Sequence, residues 1–395
     1  MKILIAAASF SPEMSGIQRH AFNVVRCLLL HPQVEMVHLV VAPWQRELVK
    51  AASLGSDERL SIHEAEMSRT SLGRNRWYYH RLPAFAASLN ADLVHLSYPM
   101  PVRAKAFACP IVVTLHDLYP YEVPRNFGFP KFIFNRFVLR QCLHQVDAIA
   151  CVSETTHSRL RQYAAASAWD KSVCIYNCVQ ATPPGAAPAA IPGWHGEPFL
   201  LCVAQHRRNK NVALLLRCFA GLLRRGQIDS KTKLFVVGIP GPETPQLNRL
   251  RAEHGLEDTI HFLTGLSEPQ LQWCYANCDA MVAPSSTEGF GLPIAEALLA
   301  GCKVVCSDIP AHREIGGEHC RFVSLEDAEG GLARAIVETL QAPRRAAMSL
   351  PQLSASVLAG QYITLYHLLI KSHSLGRVRP VSLSALLAAA GRQAL

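Results

Sequence analysis

Two doubly wound parallel α/β domains joined by one linker are the architecture this sequence predicts, and three observations carry it. Short aliphatic runs alternate with helix-length segments, the pattern of parallel strands connected by crossover helices. The alternation breaks once, in the proline- and glycine-rich stretch 182–198, and then restarts. The chain has 395 residues, 50% of them hydrophobic and 17% charged, which allows two buried cores and argues against disorder.

In the first half, residues 2–8 read as a central strand, 9–16 as a loop and 17–30 as a helix with one apolar face. Further strands are expected at 37–42, 93–96, 111–115 and 148–152, with helices at 76–89, kinked at Pro83, and at 131–145. After the linker come strand 199–204, helix 212–224, strand 233–238, a helix near 245–254 and strand 260–263. Helix 268–276 and strand 280–283 follow, then a glycine-rich turn, a short helix and a strand at 303–306. A last helix is expected at 354–369, and residues 371–395 are basic, then rich in alanine and leucine. Two such halves place a ligand crevice between them, at the carboxyl ends of their strands.

Lys2 and the apolar residues 3–10 imitate a signal peptide only loosely: the apolar part is short, and Ser11-Pro12-Glu13 follows without a small-residue cleavage site. No stretch approaches the ~18 to 20 apolar residues of a spanning helix. The 13 cysteines are odd in number and scattered, with no Cys-x2-Cys and no histidines in zinc-like order beside the pairs Cys174/Cys178, Cys274/Cys278 and Cys302/Cys306. They read as small buried hydrophobes of a reducing compartment, so a cytoplasmic protein is expected. The formal charge is +9, with basic clusters at 69–81, 131–140, 207–210, 217–225 and 371–379. Such an excess suits a phosphate-bearing substrate or anionic lipid headgroups, although a solvated basic surface gives the same numbers. No nucleic-acid-binding module is present, and nucleic acid is not expected as a partner.

The most informative segment is Glu288-Gly289-Phe290-Gly291-Leu292-Pro293-Ile294-Ala295-Glu296, which runs on to Gly301. Pro293 suits the start of a helix and Gly301 the position just past its end. A glycine-rich turn feeding a helix start aims backbone N–H groups and the positive end of the helix dipole at one place, an anion site. Carboxylates at Glu288 and Glu296 bracket that site. A ligand with a phosphate centre and hydroxyl-rich ends, such as a nucleotide sugar, fits the layout. An ordinary crossover with a tight turn and solvated glutamates is the plainer alternative.

In order and in strand context, this segment resembles the Glu-x7-Glu signature of retaining glycosyltransferases of the GT-B fold, most closely glycosyltransferase family 4. The resemblance implies two Rossmann-like domains facing a central cleft: an acceptor-side domain at 1–181, the linker 182–198, and a nucleotide-sugar domain at 199–352. A helix at 353–370 would then cross back to the first domain, leaving a basic tail at 371–395 without an assigned role. It also implies that Glu288 contacts the transferred sugar, that the backbone of Gly289, Phe290, Gly291 and Leu292 faces sugar and diphosphate, and that Glu296 holds the ribose. His116, in Val112-Val113-Thr114-Leu115-His116-Asp117, stands where the family has a histidine beside the transferred sugar. Gly16, in Ser11-Pro12-Glu13-Met14-Ser15-Gly16, stands in the family's first glycine loop, with Ser15 in place of a second glycine.

The segment Ala204-Gln205-His206-Arg207-Arg208-Asn209-Lys210 resembles the family's Gly-Arg-x4-Lys loop. Lys210 would neutralise the leaving diphosphate. Ala204 and Gln205 replace the usual glycine and arginine, so Arg207 or Arg208 is expected to supply the missing charge. Cys151-Val152-Ser153-Glu154-Thr155-Thr156 matches a family strand-to-helix turn and also reads as a helix cap.

No two aspartates stand as Asp-x-Asp, the cation-holding pattern of GT-A enzymes, and no metal or other cofactor is expected beyond the nucleotide-diphosphate sugar as co-substrate. The resulting expectation is a retaining transferase that moves a mannose-like sugar to a glycan or lipid-linked acceptor in surface-polysaccharide assembly. It would lie in the cytoplasm, peripherally on the inner face of an anionic membrane. A nucleotide-sugar epimerase of the same architecture and a catalytically silent subunit are the alternatives; Glu288, Glu296, Lys210 and His116, all present, argue against the second.

Overall fold

The computed structural model describes residues 1–52, 54–180, 182–188, 191, 194–344 and 346–376. The chain divides into two compact units, Met1–Cys178 with the residues from Pro351 on, and Val179–Leu350.

The first unit holds seven parallel strands: β1 Lys2–Ala6, β2 Met36–Val41, β3 Leu60–Glu64, β4 Leu93–Leu96, β5 Ile111–Leu115, β6 Ala148–Cys151 and β7 Ser172–Cys174. Their order across the sheet is β3-β2-β1-β4-β5-β6-β7. The chain builds outward one way from β1 and then the other, so the order reverses between β1 and β4. There the connections diverge and open a crevice at the strands' carboxyl ends. The central strands are almost wholly aliphatic because helices cover both faces. One face carries Ile3, Ile5 and Val112 against the helix Gly16–Leu29 and the last helix, Ala355–Ser374, which contributes Leu358, Tyr362, Leu365 and Tyr366. The other carries Leu4, Val94, Val113 and Ile149 against Trp77, Tyr78 and Leu139.

The second unit holds six parallel strands: β8 Phe199–Val203, β9 Lys233–Val237, β10 Ile260–Leu263, β11 Ala280–Ala283, β12 Val304–Ser307 and β13 Arg321–Val323. Their order is β10-β9-β8-β11-β12-β13, with the reversal between β8 and β11. Both predicted doubly wound sheets are therefore present.

Several expectations needed correction. The helix placed at 76–89 begins at Ser71 and runs to Ser88, and between its α-helical parts Trp77–Arg81 forms a π-turn. Pro83 lacks an N–H, and the wider turn ends two residues ahead of it, at Arg81. The last helix extends five residues past the expected end, to Ser374. Strands β3, β7 and β13 were not anticipated; β3 is only partly buried and β7 and β13 have three residues each, so none shows a clear alternation. The basic tail, from 377 on, lies outside the described residues. All 13 cysteines are free thiols, eleven of them buried. The sequence-adjacent pairs are not the ones in contact: Cys278 Sγ lies 3.1 Å from Cys302 Sγ. Among the described residues no helix is long and apolar enough to cross a membrane.

Candidate active site

The predicted constellation is divided between the units, Gly16 and His116 in the first and the other residues in the second.

In the second unit, the loops leaving β8 and β11 emerge side by side at the reversal point. They are laced together: Ser286 N donates to Asn209 O (2.8 Å) and Asn209 Nδ2 to Thr287 O (3.3 Å). The β8 loop rests on the end of β9 at Gly238, where a Cβ would stand 2.0 Å from Ala204 O. Only glycine permits that approach. The lacing sets Lys210 opposite Glu288, and Lys210 Nζ donates to both carboxylate oxygens, at 2.6 and 2.7 Å. Ser285 Oγ adds a third bond to Oε1 at 2.7 Å. Glu288 is 8% exposed. Burial by itself would raise its pKa; Lys210 foremost, then His312 and the Ser285 hydroxyl, outweigh it and hold the carboxyl below its usual value. Glu288 is therefore a buried anion at neutral pH. An ammonium has three N–H bonds, so Lys210 keeps one for a further acceptor.

The signature helix spans Leu292–Leu299, with Pro293 in its first turn and Gly291 as its N-cap at φ 99°. That left-handed conformation favours glycine, and the nearest neighbour of a Cβ there, His312 Cδ2 at 3.6 Å, would not obstruct one; the constraint is backbone strain, not space. The helix stops as expected: Gly301 N donates to Leu298 O and Cys302 N to Ala297 O, the paired bonds of a Schellman turn. Ile294 and Ala295 both donate to Gly291 O, and Pro293 has no N–H. Leu292 N makes no such bond, and an amide so placed can face an anion. Glu296 is buried, and Oε2 accepts a 2.8 Å bond from Tyr275 Oη on the helix Glu268–Asn277.

Arg207 and Arg208 line a cavity of about 250 Å³ together with Asn211, Arg217 and Glu243. No residue of 285–296 lines it. Gln205 is half-buried, and its carbonyl accepts from Arg207 N at 2.7 Å. Among the described residues no group of three or more His, Cys, Asp or Glu side chains is arranged to hold a metal ion.

In the first unit, His116 follows β5 directly and Ser97 follows β4, its neighbour across the sheet. His116 Nε2 lies 2.8 Å from Ser97 O. A carbonyl only accepts, so Nε2 carries the proton, and Nδ1 of the neutral ring is an acceptor. Burial pushes the His116 pKa down to about 4, against the opposing pull of the Ser97 bond. Thr156 Oγ1 donates to His116 O at 3.3 Å, and Thr156 N is capped by Ser153 Oγ at 2.9 Å. The turn matched at 151–156 thus also supports the histidine's backbone. Gly16 is the exposed first residue of its helix and has no positive φ.

Sequence reasoning missed Tyr275, Ser285, Ser97 and His312. Tyr275, Ser97 and His312 reach Glu296, His116 and Glu288 through tertiary contact, whereas Ser285, three residues before Glu288, left a trace in the sequence.

Residues 189–348 match the family described as "Glycosyl transferases group 1". Residues 14–182 match the one described as "Glycosyltransferase Family 4". The two matches lie on either side of residues 183–188 and between them take in every strand except β1. This chain is a group 1, family 4 glycosyltransferase. The glycosyltransferase is 25% identical over 355 residues to O-antigen chain mannosyltransferase B of Escherichia coli, covering 86% of this chain and 91% of that protein. It also resembles, in fold, HepE of Anabaena in complex with UDP and glucose, with a TM-score of 0.63 at 18% identity over 95% of this chain and 99% of that one. WaaG, a glycosyltransferase involved in lipopolysaccharide biosynthesis, gives a TM-score of 0.62 at 17% identity, covering 94% and 99%. At such identities the likeness concerns the fold, and it is the GT-B fold that this glycosyltransferase adopts.

Proposed function

We propose that this glycosyltransferase moves a mannose-like sugar from a nucleotide-diphosphate donor to a glycan or lipid-linked acceptor in surface-polysaccharide synthesis, with retention and without a metal. The observation that carries the reading is the Lys210–Glu288 pair beside the signature turn: a buried anion for the sugar and a cation with one N–H left for a phosphate oxygen. The name of the E. coli relative supports mannose and O-antigen. In the proposed step the bond from the anomeric carbon to the diphosphate oxygen breaks while the acceptor oxygen bonds the same face. The departing phosphate oxygen takes the acceptor's proton. Lys210, the Leu292 amide and the helix dipole stabilise the charge that builds on the diphosphate. Glu288 and Glu296 belong to one turn-helix unit, so they are not the opposed carboxylates of a glycosidase.

The test is transfer from a panel of UDP- and GDP-linked sugars in excess EDTA, with the product anomer read by NMR. Undiminished transfer with the donor's anomeric configuration is expected. Loss in EDTA with rescue by magnesium or manganese would overturn the metal-free mechanism; a changed donor sugar without acceptor would point to an epimerase.

A membrane-facing surface is part of the reading. On the helix Lys131–Gln145, Ile133, Phe134 and Phe137 lie on one face at helical spacing with Pro130, beside an exposed Phe129, and Phe137 is 66% exposed. Lys131 and Arg140 flank them, and no Asp or Glu occurs from 123 to 146. Exposed aromatics edged by cations suit an anionic bilayer surface. Vesicles containing an anionic lipid should carry the protein up in flotation, neutral vesicles should not, and Phe134→Ser with Phe137→Ser should abolish the difference.

A further inference from the structure

The face of the first sheet covered by the helices Gly16–Leu29 and Ala355–Ser374 is aliphatic except for one polar seam. His95 Nδ1 lies 2.5 Å from Tyr366 Oη, and His95 Nε2 lies 2.8 Å from Thr114 Oγ1. Thr114 Oγ1 also lies 3.2 Å from His20 Nε2. The His20 ring meets the His116 ring edge to face at 4.9 Å and 89°. His20, His95 and Thr114 are each 2% exposed or less. A polar chain in such a layer is costly unless every member is bonded.

The direction of the chain follows from its end. His20 Nδ1 and Asn177 Oδ1 are both buried without a partner, and the Asn177 side chain is near enough to favour a proton on His20. An amide oxygen only accepts, so a His20 proton facing it would sit on Nδ1, and His20 Nε2 would then accept from the Thr114 hydroxyl. Thr114 then accepts from His95 Nε2–H, and His95 Nδ1 accepts from Tyr366. This assignment satisfies the three bonds from Tyr366 to His20 with both histidines neutral. Burial holds His95 down to about 3 and His20 well below its ordinary value, which agrees with neutral rings.

We propose that the chain from Tyr366 through His95 and Thr114 to His20 is a positioning device for His116, holding its ring against Ser97 with Nδ1 presented as a hydrogen-bond acceptor. This rests on the reading of His116 as a sugar contact. His20 closes one side of the His116 ring and the Ser97 carbonyl fixes one nitrogen. The last helix takes part in ordering the site through the Tyr366 hydroxyl, two side chains away from His20. His20, His95, Thr114 and Tyr366 are positioning residues; none needs to touch the donor.

Thr114→Val removes the central hydroxyl at constant volume, and Tyr366→Phe removes only the far donor. In the full chain both should lower kcat by roughly 10- to 10²-fold, the scale of a small misplacement of a reacting group. The affinity for free nucleoside diphosphate, which lacks the sugar, should stay within about twofold, since its contacts are proposed for the other unit. The ring ¹⁵N signals of His116, assigned with His116→Gln, should report the Nε2–H tautomer in the parent and a mixture in the variants. A lower melting temperature with unchanged kcat and unchanged His116 signals would overturn the proposal, leaving the chain a purely structural element. If His116→Ala kept full turnover, the sugar-contact reading would fall, and the ring signals alone would then decide whether the chain orders His116.

Discussion

Lys210→Ala is expected to lower turnover by about 10²- to 10³-fold, the usual effect of removing one electrostatic partner of a developing charge. The structure adds a second consequence. Lys210 is bonded to both oxygens of a buried glutamate, so its removal leaves Glu288 without its main counter-charge. Breaking such a pair costs on the order of 3–5 kcal/mol. The double variant Lys210→Ala with Glu288→Gln separates the two effects, because it removes the stranded charge. Its melting temperature should recover while its turnover stays low. The pH dependence has a definite sign: the folded-state pKa of Glu288 is depressed, so the pair's contribution is present at neutral pH. It is lost as pH falls below the ordinary glutamate value of about 4.3. Arg207 and Arg208 line a cavity that the signature turn does not, so removing them should cost much less than removing Lys210. If Lys210→Ala retained normal turnover while the double arginine variant lost it, the diphosphate would have to be placed at that cavity instead.

Glu296→Ala should weaken binding of free nucleoside diphosphate as well as donor, since a ribose-holding carboxylate meets both. Each lost charge-assisted hydrogen bond costs roughly 1.5–3 kcal/mol, a tenfold or greater rise in Kd. Tyr275→Phe is the informative companion. Its hydroxyl holds Glu296 Oε2 at 2.8 Å, so its loss removes one anchor of the carboxylate and should weaken binding by a smaller factor. Calorimetric titration on variants of unaltered melting temperature decides the matter. Unchanged affinity for Glu296→Ala would remove Glu296 from the nucleotide site.

Much of this protein was legible in one dimension. A buried parallel strand must be aliphatic on both faces, so β1, β4, β5, β8 and β11 announce themselves as short apolar runs. The signature turn is legible because its backbone makes local demands that few residues meet: Gly291 at φ 99°, Pro293 in the first helical turn, Gly301 at φ 67° past the end. The short partly exposed strands β3 and β13 left no such trace.

What tertiary structure alone decided is which side chains meet. Lys210 and Glu288 are 78 residues apart, and they touch because β8 and β11 are neighbours at the point where strand order reverses. His95 and Tyr366 are 271 apart, and they touch because the last helix lies on the first sheet. Local sequence specifies backbone conformation, since φ, ψ and burial periodicity are properties of a few consecutive residues. Partnerships between loops and across helix faces depend on strand order and on how helices seat, and these emerge only when the whole core is assembled.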